Sequence, residues 1–156
     1  MNQQIVDALN GLIATELVAV NQYFVHAKLC EHWGFEKLAA HFREDSMDEM
    51  RDIEAYMDRV LLLGGLPNLQ RLDPFQVGET VGEALDLGIA LETRAVEQLQ
   101  AAVRLTDEAG DVGTFELLGP KVPEEEAQLD WLRTQKGLIE QLGEQLYLSL
   151  QVEERS

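Results

Sequence analysis

Apolar residues recur at helical spacing near the start of the chain, at Ile5, Leu9, Leu12, Ile13, Val20, Phe24 and Ala27. The pattern predicts a long first helix. A second helical segment begins after Gly34 and runs to the Gly64–Gly65 stop. The stretch 66–80, L-P-N-L-Q-R-L-D-P-F-Q-V-G-E-T, carries two prolines and several turn formers, so it reads as a long connection. Helical pattern resumes near Thr80 and continues to Asp107–Gly110, and a last long helix is expected from about Pro123 to Gly143. Leu146, Leu148 and Leu150 give the tail, Glu144 to Val152, enough apolar character for a short fifth helix. Strand signals are missing. The expectation is one all-α domain over residues 1–156, two helical pairs joined by a long crossover.

The polar positions inside those stripes carry a repeat. Glu16 is followed 33 residues later by Glu49, with Asp52 three residues further on; Glu92 is followed 33 residues later by Glu125, with Gln128 three further on. The two halves are offset by 76 at all three positions, and neighbours follow: E-L-V-A-V-N-Q at 16–22 reads against E-T-R-A-V-E-Q at 92–98. A helical hairpin duplicated about a pseudo-twofold axis has this pattern. Residues 49/52 and 125/128 are i, i+3 pairs, so each pair shares a helix face. Glu is abundant in the chain, and any one of these residues alone reads as a surface charge. Unrelated surface residues have no reason to repeat in register. Two single Glu plus two Glu-x-x-His pairs is the ligand set of di-iron carboxylate bundles, which share the ferritin-like topology of two helical pairs and one long crossover. Here Asp52 and Gln128 stand where the histidines would be. His26, His32 and His41 lie in the first third of the chain, none beside a Glu at that spacing, and read as surface or packing residues.

Composition changes the picture in one direction. A formal charge of −17 and a pI near 4.3 argue against nucleic acid or an anionic membrane as partner, and suit attraction of cations as well as solubility. The opening M-N-Q-Q-I-V has neither a basic n-region nor an apolar h-region, and no apolar run reaches membrane-span length. The single cysteine, Cys30, rules out an internal disulfide and fits a reducing cytoplasm.

E-L-V-A-V-N-Q-Y-F-V-H-A at 16–27, H-W-G at 32–34, M-D-E-M at 47–50, G-L-P-N-L-Q at 65–70, L-E at 91–92 and E-E-x-x-x-D-W-L at 125–132 resemble the bacterioferritins. The resemblance covers nearly the whole chain. It implies a ferritin-like four-helix bundle with a short fifth C-terminal helix, assembled into a cage of twenty-four subunits that stores ferric mineral in the cytoplasm. It implies a b-type haem at each twofold interface, ligated by one methionine per subunit, and the matching residue is Met50. It also implies a redox partner such as a ferredoxin. On a helix, Met50 points about 100° away from its neighbour Glu49, which turns it towards the outside if Glu49 faces inward. A methionine there also serves as a flexible packer.

The resemblance carries the di-iron ligand roles to Glu16, Glu49, Glu92 and Glu125, and a neighbouring role to Tyr23. It breaks at Asp52 and Gln128, where the family has histidines. Asp52 is a hard but shorter ligand, and Gln128 offers only a neutral amide oxygen, a weak donor towards Fe(II). It is also strained by G-P-K-V-P at 119–123, because proline costs about 3 kcal/mol in a helix interior. Pro123 fits a first helical position, which would place Glu125 at a helix start with looser positioning. Three functions stay open on these residues. One is a haem-binding storage subunit with a weakened iron site, assembled with a sister chain that bears an intact one. Another is a working ferroxidase using the Glu/Asp/Gln set, and the third is a bundle holding another hard metal.

Overall fold

The computed structural model describes residues 1–153; the final three residues of the expected domain, 154–156, lie outside that range. Six helices follow in order: α1 Gln3–His32, α2 Glu36–Leu62, α3 Val81–Glu108, α4 Val112–Leu118, α5 Lys121–Leu142 and α6 Glu144–Ser149. No strand occurs among the described residues. No helix there is long and apolar enough to cross a membrane. The fold is an all-α, ferritin-like four-helix bundle with a short C-terminal helix, as the periodicity predicts.

Local chemistry fixes the boundaries. The Asn2 side chain accepts from the backbone N–H groups of Gln4 and Ile5 and caps α1, and Thr80 caps α3 by accepting from Glu83 N–H. Gly34, Gly64, Gly110 and Gly143 take positive φ just beyond helix ends, where a side chain would be strained. The fourth bundle helix is broken, as the two prolines predict, but the break falls at Gly119–Pro120 and α5 starts at Lys121. Pro123 is therefore its third residue, still within the first turn, where no intrahelical N–H bond is lost. The short α4 precedes the break and is capped by Asp111, whose carboxylate accepts from Thr114 N–H and Thr114 Oγ1. Arg59 of α2 reaches across to both Asp111 and Thr114.

α1 packs along α2 and α3 along α5, and the two hairpins meet chiefly through α1 against α3. The connection spans 63–80 and is pinned at two places. Asn10 donates to Leu66 O and accepts from Asn68 N–H, and buried His26 Nε2 accepts from Gly78 N–H at 2.9 Å. The tail differs in detail from its prediction: Tyr147 is the buried residue, donating to Gln135 Oε1, while Leu146 and Leu150 are exposed.

The core has two parts. One is built from Val18, Tyr23, Leu38, Phe42, Leu85, Leu91, Leu132 and Tyr147; the other from Ile5, Leu9, Leu12, Ile53, Tyr56, Val60, Leu99 and Leu118. Of the first helix's apolar series, Ile5, Leu9, Leu12, Ile13 and Ala27 are buried, Val20 is half-buried, and Phe24 is exposed beneath the Arg43 guanidinium.

Candidate metal centre

The four repeated glutamates stand where the helices pass from one apolar cluster to the other. Glu16 lies between Ile13 and Val18, Glu49 between Phe42 and Ile53, Glu92 between Leu91 and Leu99, and Glu125 between Leu118 and Leu132. All four are at most 5 % exposed. One carboxylate oxygen each from Glu16, Glu49, Asp52 and Glu125 falls within 4.8 Å of the others. Glu92 lies beside them and accepts from Tyr23 Oη at 2.5 Å; its carboxyl and that of Glu49 both interact with Glu125.

Such a cluster is expensive as mere structure. Burial, then the charges of Glu125 and Asp52, holds the Glu49 carboxyl well above the usual carboxylate range. Burial and then Glu125 do the same at Glu92, and burial foremost raises Glu125. Burial and then Glu92 keep the Tyr23 phenol protonated, and so a donor. The Oε2 atoms of Glu16, Glu49, Glu92 and Glu125 are buried without a hydrogen-bond partner. A buried polar atom is ordinarily satisfied, so four unpartnered carboxyl oxygens on neighbouring helices fit a cation-binding position. All-oxygen donors suit a hard divalent cation, which displaces the protons that the carboxyls otherwise share.

A cavity of about 480 Å³ runs to this site from outside, past exposed Asp48 and Arg51 to buried Glu49 and Glu125. The two positions that lack histidine lie beside it and behave differently. Asp52 keeps its place with the glutamates, and its Oδ1 accepts from the Lys121 ammonium at 2.7 Å. Gln128 is engaged elsewhere: its amide nitrogen donates to Asp45, and its Oε1 lies 3.3 Å from His41 Nε2.

His41 packs, but beside the cavity. It stacks on Trp131 with ring centroids 3.4 Å apart, bonds Asp45 Oδ2 at 3.1 Å and lines the cavity. Burial disfavours its charged form, but the Asp45 hydrogen bond and charge outweigh this and raise its pKa. His26 is the buried anchor of the crossover, and His32 is exposed at the end of α1. Glu125 is the fifth residue of α5, near the helix start as expected, and its carboxyl is buried. Sequence reasoning missed Lys121. It stands four residues before Glu125 on the same face of α5, a relation hidden once the helix is started at Pro123.

Met50 is 47 % exposed on α2, beside buried Glu49 and three residues from Met47, which is also exposed. Two thioethers thus lie on the outward side of α2.

Residues 6–149 match the Ferritin family, a ferritin-like domain. The chain is 42 % identical over 144 residues to the bacterioferritin of Mycobacterium avium, covering 92 % of this chain and 91 % of that protein. It is 41 % identical over 151 residues to the bacterioferritin of Streptomyces coelicolor, covering 97 % and 90 %. With the bacterioferritin of Rhodobacter capsulatus the figures are 37 % over 142 residues, 91 % and 88 %. A duplicated carboxylate hairpin and these likenesses agree: the chain belongs to the ferritin-like domain family, as a bacterioferritin.

Proposed function

We propose that this chain is one ferritin-like domain acting as the subunit of an iron-storage cage, with an iron site that turns over slowly. The observation that carries the reading is the set of four buried, unpartnered glutamate oxygens converging between two apolar clusters. Glu16, Glu49, Asp52, Glu92 and Glu125 are the groups that would receive Fe(II), the substrate. Gln128 sits in the sixth position but is held by Asp45 and His41, so it contributes little. The family resemblance adds a cytoplasmic assembly of twenty-four subunits, in which ferric product from any site reaches one shared interior. A sister subunit with both histidines would then supply rapid oxidation to a mixed cage.

Haem b belongs to the same reading. Met50 and its copy across a twofold axis would hold the iron through two thioethers, which raises its potential and suits electron transfer with a ferredoxin-type partner. Exposure of Met50 on the outer face of α2 supports this.

A second reading has an observation of its own. Asp52 lies within 4.8 Å of three glutamate oxygens, so an all-carboxylate site could sustain ferroxidase turnover unaided. The deciding experiment is oxygen-dependent Fe(II) oxidation by cages made of this chain alone, with iron counted per subunit. Slow oxidation supports the storage reading, and rapid oxidation with two irons bound per subunit establishes the enzyme. Metal analysis of the same cages that finds another hard ion, and no iron uptake, sinks both.

A further inference from the structure

Lys121 is placed against its local electrostatics. It is the first residue of α5, where the positive end of the helix dipole disfavours a cation. Its side chain is only 14 % exposed, and its ammonium lies 5.6 Å from the Tyr56 ring centroid and 2.7 Å from Asp52 Oδ1. A lysine is held there by its partner, and the partner is one of the four carboxylates that converge on the metal position. A carboxylate that accepts a charge-assisted hydrogen bond shares its negative charge with that donor and is a poorer donor towards a metal. A fixed positive charge one carboxylate away also opposes an incoming divalent ion.

We propose that Lys121 is a built-in counter-cation that competes with a divalent metal for Asp52 and lowers the affinity of the carboxylate site. The inference rests on the metal-site reading given above. In this arrangement Asp52 has two alternative partners. With Lys121 paired to it, the extra carboxylate that replaces a neutral histidine is neutralised within the folded chain. When metal is bound, the ion must share Asp52 with the ammonium. Lys121 is thus a positioning residue whose effect passes through Asp52.

The test is Mn(II) binding to metal-stripped assemblies, followed by calorimetry and by the electron paramagnetic resonance signal of the free ion. Binding by a Glu49→Gln assembly is subtracted to remove ions on the acidic surface. Lys121→Met is expected to bind Mn(II) on the order of ten-fold tighter than the unmodified chain, because one opposing charge is gone. Lys121→Arg, which keeps the charge, stays near the unmodified value. Adding Asp52→Asn to Lys121→Met removes the gain, since the competition runs through that carboxylate. Loss of packing alone does not tighten binding, so the sign separates competition from a structural role. Unchanged or weaker binding in Lys121→Met overturns the proposal while leaving the metal site standing. If no binding in any variant depends on Glu49, the metal-site reading itself falls and takes the proposal with it. Should Lys121→Met fail to assemble, Lys121→Gln carries the same expectation.

Discussion

At the scale of single residues, the buried groups have defined protonation states, and these give the chain a pH dependence. His26 Nε2 accepts from Gly78 N–H, so it must be unprotonated, and burial pulls its pKa down to about 4. In the unfolded chain the same imidazole titrates near 6.5. The unfolded state therefore takes up a proton that the folded state refuses as pH falls from about 6.5 to about 4. Stability contributed by neutral His26 is full above that window and is lost on acidification through it. His41 works in the opposite sense. Its raised pKa stabilises the fold below about 6.5 and loses effect as pH rises through the raised value. The carboxylates contribute equally to both members of a His26→Gln comparison, so the difference isolates the anchor. His26→Gln is expected to lose less melting temperature between pH 7 and pH 4.5 than the unmodified chain, by thermal unfolding in matched buffers. Equal losses would show that the crossover is not held by a titrating acceptor. Tyr23 offers a second check at this scale. Tyr23→Phe removes the donor to Glu92 and leaves a buried carboxyl with one bond fewer, so metal binding should weaken while the Tyr23–Phe42 stack survives as a Phe–Phe contact.

At the scale of the elements, the informative place is the broken fourth helix. α4 has only seven residues, too few to persist by helix propensity alone. Asp111 holds it, through its cap on Thr114 and its ion pair with Arg59 at 3.1 Å. Burial works against the Asp111 charge, but the Thr114 hydrogen bonds and then Arg59 pull its pKa below the usual value. Asp111→Ala is expected to cost about 2 kcal/mol and to speed hydrogen exchange across α4 ahead of α5. Uniform exchange through both helices would contradict a separately pinned element. The same region shows what was legible in the chain and what was not. Glu16, Glu49, Glu92 and Glu125 could be found because local helix spacing and duplication both act on sequence distance. The proline break could be found because proline lacks an N–H wherever it falls. Its consequence could not: a helix counted from Pro123 leaves out Lys121, which shares a face with Glu125. His41 was hidden for another reason. Its partners Gln128 and Trp131 come from α5, some ninety residues away, and no local spacing encodes a contact between α2 and α5. α4 does not stand out in the sequence because a seven-residue segment carries too little periodicity.

At the scale of the whole molecule, function depends on what faces inward and what faces outward. Met50 belongs to the outward set, and on the proposed reading Met50→Leu assembles normally but lacks the haem absorption band. Retained haem with unchanged ligation would remove Met50 from the interface. The inward set decides the chemistry. Asp52→His and Gln128→His together are expected to raise Fe(II) oxidation by homogeneous cages. The gain should be on the order of ten- to a hundred-fold, comparable to the effect of losing groups that merely orient a metal ligand. The two substitutions do different things. Asp52→His exchanges a carboxylate for a neutral imidazole and releases Lys121 from its partner. Gln128→His replaces an amide engaged by Asp45 and His41, and its imidazole must compete with that pair for position. Asp52→His alone should therefore recover more than Gln128→His alone. Glu125 is buried in spite of the nearby break, so the recovery is expected to depend chiefly on the two substituted positions. Stopped-flow absorbance after mixing Fe(II) with aerated cages gives the rates, and iron analysis gives the number bound. A double variant no faster than the unmodified chain would place the fault outside the two missing histidines, whereas an unmodified chain that is already fast would make the all-carboxylate site a working ferroxidase.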